Sequence, residues 1–213
     1  MLACLVTHSD SGFTKEQEKG YGVRAANHLR AGISLRTGKK VYHFLQAECK
    51  GHRRVTRSTY SSELQAAVDA ADEEISLALA MEEIAYGPQT VTATREKWDA
   101  TPGTSVPVVT KKFKTELVVD AMSLFKSVAA VVVREPAEKS CGVLLFWLRE
   151  VLEQGLLTTL RWCDTRDLSC DGNTKGSIPR DALVALMEEG RHAYEHATEE
   201  FSCAKGAAGS NAR

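Results

Sequence analysis

The chain opens with an apolar run that changes abruptly into polar residues. Residues 2–7 are almost all apolar and are followed by HSD, a pattern typical of a central strand covered on both faces. Two longer segments, Gly20 to Ser34 and Lys39 to Glu48, have the composition of strands, and the RTGKK sequence near their junction carries turn residues. We therefore predict an antiparallel meander of three strands.

After the three predicted strands, apolar residues recur every three to four positions. This period predicts a helix that begins at Ser58 or Thr59, both good N-cap residues, and ends near Gly87 and Pro88. The apolar stripe of the helix consists of Leu64, Val68, Ala71, Ile75 and Leu79.

The second half of the chain alternates strands with helices. Residues 87–115 hold three of the five prolines, so we expect a long loop or an insertion there. The elements predicted after it are a strand at 116–120, helices at 121–130 and 136–155, a strand at 157–162 and a helix at 179–190. Strands separated by helices favour parallel pairing.

Together these elements predict an α/β fold. We expect a mixed five-stranded sheet, with three antiparallel strands followed by parallel ones, and helices on both faces. We assign residues 1–192 to one domain and 193–213 to a polar tail that is disordered toward its end.

Composition narrows the class of protein. With 213 residues, 43% of them hydrophobic, the chain can form one sizeable core. A formal net charge of −1 argues against a protein that coats nucleic acid by electrostatics alone. The six cysteines form no CxxC pair, and the sequence has no signal peptide and no long apolar run. We therefore expect free thiols and an intracellular protein, cytoplasmic or nuclear, without a membrane partner.

Four acidic residues fall where a metal site would need them. Asp10 and Asp120 end two predicted buried strands, and parallel pairing would bring both to one edge of the sheet. Glu63 lies one turn into the first helix, and Asp171 precedes the last helix. Four carboxylates suit Mg²⁺ or Mn²⁺ better than zinc. Taken singly, each acid fits a turn, a cap or a solvated helix position equally well or better, so the prediction depends on all four.

A basic run precedes the first helix. Arg53, Arg54 and Arg57 either contact the phosphates of a nucleic acid or form a solvated strand end, and the sequence favours neither. Ser58 and Thr59 are first of all capping residues, but their hydroxyls could also contact a ribose 2′-hydroxyl.

Four segments resemble, in order, the motifs of the ribonuclease H domain of Ty1/copia-type retrotransposon Pol polyproteins. They are HSDSGF (8–13), RRVTRSTYSSELQAAVDAADE (53–73), LVVDAMSLFKSV (117–128) and LRWCDTRDLSCDGNTKG (160–176). The second and fourth are the more specific. Asn173 departs from the family by replacing an aliphatic residue, and the 87–115 connection is longer than expected. Residues 163–170 also lack the histidine that some ribonucleases H carry before the last acid.

The resemblance implies a ribonuclease H-like fold and an endonuclease that cleaves the RNA strand of RNA–DNA hybrids. It also implies that Asp10, Glu63, Asp120 and Asp171 are catalytic ligands of two Mg²⁺ (or Mn²⁺) ions. The implied partners are the hybrid and a reverse transcriptase domain of the same polyprotein.

Two alternatives are kept. The first is a ribonuclease H-like remnant that no longer cuts and acts as a nucleic-acid-binding or structural domain. The second is a transposase or integrase core, which is less favoured because such sites use a late helical glutamate, whereas Glu63 comes early.

Overall fold

The structure is a computed structural model that describes residues 4–12, 22–52, 56, 58–88, 113–136, 138–175 and 180–203. Six strands form one sheet within this part of the chain. They are β1 (Cys4–Gly12), β2 (Val23–Ile33), β3 (Lys40–Gly51), β4 (Lys114–Val119), β5 (Thr159–Cys163) and β6 (Thr198–Phe201).

Among the described residues, five α-helices and a 3₁₀ turn connect the strands. The helices are α1 (Thr59–Tyr86), α2 (Met122–Ala129), α3 (Ser140–Glu153), α4 (Asp171–Thr174) and α5 (Asp181–Glu189). The 3₁₀ turn spans Thr165–Asp167, directly after β5.

The strand order across the sheet is β3-β2-β1-β4-β5-β6. Strands β1, β2 and β3 pair antiparallel, whereas β1–β4 and β4–β5 pair parallel. The predicted α/β class, with a mixed sheet that has an antiparallel and a parallel half, is therefore confirmed. The sheet has six strands rather than the expected five, because Thr198–Phe201 adds an antiparallel edge to β5 within the segment predicted to be a polar tail.

Each face of the sheet is covered by its own core, because neighbouring residues of a strand point to opposite faces. In β4, Leu117 and Val119 pack into the core formed with α1, α2 and α3. Val118, between them, packs into the second core, which includes Leu186 of α5. This arrangement confirms the expected helices on both faces.

The start and end of α1 follow from local chemistry. Ser58 is the N-cap, and its side-chain oxygen accepts a hydrogen bond of 3.1 Å from the backbone N–H of Ser61. The helix stops at Gly87, whose φ of 86° favours glycine, and Pro88 follows.

Several strands and helices begin or end at residues other than those predicted. Strand β1 continues to Gly12, so Asp10 pairs with Ala25 inside the strand instead of ending it. Residues Asp171–Thr174 form the short helix α4 where a loop was expected. Most of the predicted 87–115 loop, from residue 89 to residue 112, lies outside the described residues, as does Pro179.

Two further predictions concern the cysteines and the membrane. All six cysteines are free thiols, as expected. Among the described residues, no helix combines the length and the apolar character needed to cross a membrane.

Candidate metal centre

Three of the four predicted carboxylates meet at one end of the sheet. Parallel pairing of β1 with β4 places Ser9 opposite Val119, so Asp10 and Asp120 come next on neighbouring strands. Glu63 reaches them from the second turn of α1. One carboxylate oxygen from each of the three residues lies within 4.8 Å of the other two. Residues far apart in the sequence thus form one acidic cluster of Asp10, Glu63 and Asp120.

Burial makes this acidic cluster electrostatically unfavourable without a cation. Asp10 is 1% exposed and Glu63 is 9% exposed. Burial, together with the charge of Asp120, raises the pKa of Asp10 to about 6. Burial and the charges of Asp10 and Asp120 raise the pKa of Glu63 to about 9. Burial also raises the pKa of Asp120. Each shift has the sign expected when a carboxylate leaves water for a site with like charges.

Residues that surround the acidic cluster orient its carboxylates by hydrogen bonds. Thr174 donates its hydroxyl hydrogen bond to Oδ2 of Asp10. Thr165 donates to Oδ2 of Asp120 at 2.9 Å, and the indole N–H of Trp162 donates to the backbone oxygen of Asp120 at 2.7 Å. Residues of β5 and of the segments after it therefore hold two of the three acids in position.

Asp171, the fourth predicted ligand, lies close by but outside the group of three. It is 5% exposed at the first position of α4, and its Oδ1 forms an ion pair with Nζ of Lys175, four residues later. Its charge still contributes to raising the pKa values of Asp10 and Asp120. In this structure, Asp171 is thus neutralised by a neighbouring lysine.

A buried hydroxyl–imidazole cluster lies next to the acids, and the sequence analysis did not predict it. Nε2 of His52 is 3.0 Å from the hydroxyl oxygens of both Ser11 and Ser62, which also contact each other. Ser11 and Ser62 directly follow and precede Asp10 and Glu63. Gly22 packs tightly against this cluster. A side chain at position 22 would place its Cβ only 2.9 Å from Cδ2 of His52. The signal was weak, since His52 sits in a basic run.

Asn173, the departure from the family pattern, has a structural partner. Its side-chain N–H₂ donates to Oδ1 of Asn27 at 2.9 Å, and Asn27 in turn donates to the hydroxyl of Ser169 at 3.1 Å. Asn27 is fully buried on β2. A polar residue at position 173 therefore ties α4 to the sheet by satisfying a buried amide.

The predicted nucleic-acid-binding residues divide into two groups. Arg53, Arg54 and Arg57 lie outside the described residues. Ser58 and Thr59 are exposed at the start of α1, four to five residues before Glu63, and Ser58 serves as its N-cap.

The acidic cluster fits a divalent ion. Its donors are three carboxylates, the hard oxygen ligands that Mg²⁺ and Mn²⁺ prefer. Within the described part of the chain, this is the one group of three His, Cys, Asp or Glu residues close enough to share an ion. A cation would also relieve the cost of burying like charges. Asp10, Glu63 and Asp120 are the residues that would hold it.

Two solved structures match the fold at low similarity. The N-terminal RNase H domain of Rv2228c from Mycobacterium tuberculosis, solved as a fusion with maltose-binding protein, has a TM-score of 0.43 at 11% identity and covers 85% of this chain and 96% of its own. LC9-RNase H1, described as a type 1 RNase H with the type 2 active-site motif, has a TM-score of 0.40 at 11% identity and covers 91% and 76%, respectively. No family model matches the chain, and no curated protein does. The role of the site therefore has to be inferred from the geometry of this chain.

Proposed function

We propose that this protein is a metal-dependent ribonuclease H that cleaves the RNA strand of RNA–DNA hybrids. The observation that carries the proposal is the acidic cluster, in which Asp10, Glu63 and Asp120 bring their oxygens within 4.8 Å of one another. Surface acids repel one another and stay hydrated, whereas two of these are nearly buried. A buried group of like charges is most simply explained by a cation that it binds.

The reaction follows from the donor set. Asp10, Glu63 and Asp120 would hold a divalent ion, which would supply Lewis-acid activation of water and neutralise charge on a phosphodiester. The protein residues themselves position and orient: β1 and β4 fix the two aspartates, α1 fixes Glu63, and Thr165 and Thr174 hold the carboxylates by hydrogen bonds. None of these residues has to act as a nucleophile.

The choice of an RNA–DNA hybrid as substrate is supported by the sequence resemblance and by the position of α1. The exposed hydroxyls of Ser58 and Thr59 stand at the end of α1 nearest Glu63, where they could contact a 2′-hydroxyl. The arginines at 53, 54 and 57 adjoin them in sequence and would contact phosphates. The resemblance further supports an origin in a Ty1/copia-type Pol polyprotein, with a reverse transcriptase domain as the natural partner and two Mg²⁺ or Mn²⁺ ions in the site.

A cleavage assay tests the proposal. A hybrid with a 5′-labelled RNA strand is incubated with Mg²⁺ and either the wild-type protein or Asp120→Asn, with Asp181→Asn as the matched control, because Asp181 is exposed at the start of α5. We expect the wild type and the control to cleave the RNA strand alone and to leave 3′-hydroxyl ends. Loss of cleavage should be confined to Asp120→Asn. Equal rates for all three proteins would contradict the proposal.

The ion pair of Asp171 with Lys175 favours a second candidate, a remnant that binds hybrids without cutting them. In that case the fourth carboxylate would be permanently occupied by the lysine. Hybrid binding by the wild type, measured by fluorescence anisotropy, with no cleavage in either Mg²⁺ or Mn²⁺ would favour this second candidate. Strand transfer into duplex DNA would instead point to a transposase or integrase core.

A further inference from the structure

Lys175 places a positive charge next to the acidic cluster, where it pairs with Asp171. It follows directly after α4, and its backbone N–H donates to the backbone oxygen of Asp171 at 3.1 Å. Its ammonium group pairs with the Asp171 carboxylate, which is 7% exposed, while the lysine side chain is 40% exposed. One turn of chain thus carries both a buried acid and a cation that can reach water.

The same turn is linked to the acidic cluster. Thr174, between Asp171 and Lys175, donates to Oδ2 of Asp10 and lies 3.2 Å from the backbone oxygen of Asp171. Because Lys175 directly follows Thr174, its ammonium group pairs with Asp171 beside the residue that donates to Asp10.

A lysine in this position weakens the binding of a divalent ion in two ways. Its positive charge repels a cation that enters between Asp10, Glu63 and Asp120. It also occupies the carboxylate of Asp171, the fourth oxygen donor at this end of the sheet. Because the Lys175 side chain is 40% exposed, its ammonium group can leave Asp171 for water, which a fully buried ion pair would not allow.

We propose that Lys175 is a tethered competitor of the metal: it holds Asp171 in the resting site, so that a divalent ion binds first through Asp10, Glu63 and Asp120, and a second ion requires the lysine to release Asp171. The inference depends on the proposed function for the presence of the ions. It adds a regulatory role for a side chain of this chain, in which metal loading is limited by an ion pair that has to break.

The test is a calorimetric titration of the full chain with Mn²⁺ alone, in the absence of nucleic acid. The variants are Lys175→Met, which keeps the length of the stem, and Lys114→Met as the control, because Lys114 is exposed at the opposite end of β4 from Asp120. We expect Lys175→Met to bind Mn²⁺ about tenfold more tightly than the wild type, since a repelling charge is lost and Asp171 is freed. The control should match the wild type.

A double variant identifies the source of the gain. In Lys175→Met/Asp171→Asn, the freed carboxylate is gone, so we expect the Mn²⁺ affinity to return to within about threefold of the wild type. Electron paramagnetic resonance adds a spectroscopic readout, because two neighbouring Mn²⁺ ions couple magnetically. We expect that signature in Lys175→Met at Mn²⁺ concentrations that give the wild type a single uncoupled ion.

The outcomes separate the two proposals. If all proteins bind Mn²⁺ but Lys175→Met binds no more tightly than the wild type, Lys175 is not a competitor, while the metal site itself stands. The same holds if the double variant keeps the full gain. If neither the wild type nor Lys175→Met binds Mn²⁺, both the metal site of the proposed function and the role of Lys175 are overturned.

Discussion

Asp120 and Asp167 follow the carboxyl ends of neighbouring parallel strands, β4 and β5, yet their surroundings differ in kind. Asp167 is paired: the backbone N–H and the Nδ1 of His196 contact its two oxygens at 2.8 and 2.9 Å. Burial acts to raise the pKa of Asp167, but the hydrogen bonds from His196 outweigh it and lower the pKa. Asp120 has a raised pKa and shares its space with two more acids.

The difference separates a structural acid from a functional one. Among the described residues, none of Asp10, Glu63 and Asp120 forms an ion pair with a protein cation, whereas Asp167 has His196 and Glu116 has Arg161. Compensated acids stabilise the fold: here Glu116 links β4 to β5, and Asp167 links the turn after β5 to the segment that leads into β6. Uncompensated acids cost stability, so their retention at one point favours a ligand supplied from outside.

The largest effect is expected from removing one carboxylate of the acidic cluster. Asp120→Asn should lower the rate of hybrid cleavage by about a thousandfold or more, because a charged ligand contributes several kcal/mol to transition-state stabilisation. Asp167→Asn should keep its rate within about threefold of the wild type at a temperature where it is folded. Steady-state cleavage rates measure both, and a similar loss in the two variants would remove the distinction between these acids.

The second effect is on the pH dependence of stability in EDTA. The pKa of Glu63 is raised from 4.5 to about 9, so the folded state holds a proton that the unfolded state has lost between these values. Stability should therefore be greatest near pH 5 and fall by about 4 kcal/mol toward pH 8, since each pH unit between the two pKa values costs about 1.4 kcal/mol. Urea unfolding followed by circular dichroism measures this slope.

Two controls sharpen that prediction. Glu63→Gln has no carboxyl group to titrate, so its slope should be smaller than that of the wild type. Saturating Mn²⁺ should flatten the slope of the wild type, since the ion takes the place of the proton. A wild-type stability that rises from pH 5 to pH 8 in EDTA would show that the acidic cluster is compensated by the protein.

Asp167 should show the opposite behaviour, at a smaller magnitude. Asp167→Asn should lower the free energy of unfolding by about 2 kcal/mol, since a hydrogen-bonded buried charge is lost. Because its folded pKa is lowered, the contribution of Asp167 is present at neutral pH and lost as the pH falls through that pKa. Urea unfolding at pH 7 tests this, with exposed Asp181→Asn as the control. Equal free energies of unfolding for the two variants would show that the contacts of Asp167 do not stabilise the fold.

The smallest effect is expected from the residue that orients Asp10. Thr174→Val removes the hydroxyl that donates to Oδ2 of Asp10 and should weaken Mn²⁺ binding by about tenfold. Thr174→Ser keeps the hydroxyl and should bind like the wild type. Calorimetric titration distinguishes them, and a Thr174→Val variant that binds Mn²⁺ as tightly as the wild type would show that the hydrogen bond to Asp10 does not matter.

Two acids of the site, Asp10 and Asp120, were predictable because each lies at an apolar strand pattern in the sequence. Asp10 and Asp120 stood out because a carboxylate beside an apolar strand is costly. Parallel pairing then implied a shared edge, and the register of Ser9 with Val119 agrees with it. Glu63 was recognised through its helix and through the family resemblance.

Other features could not be predicted because their signals are nonlocal. The edge strand β6 has the sequence TEEF, which is mostly polar, and it is held by pairing with β5 and by the contact of Glu200 with Arg161. The cluster of His52 with Ser11 and Ser62 unites residues up to 51 positions apart. The pairing of Asp171 with Lys175 was hidden in a motif that the family resemblance assigned to metal binding.

The most direct test of the central claim is a crystal structure with Mn²⁺, examined at a wavelength where manganese scatters anomalously. We expect an anomalous peak within ligand distance of carboxylate oxygens from Asp10, Glu63 and Asp120 together, and no such peak between Asp167 and His196. A crystal saturated with Mn²⁺ that shows no peak among the three carboxylates would contradict that claim.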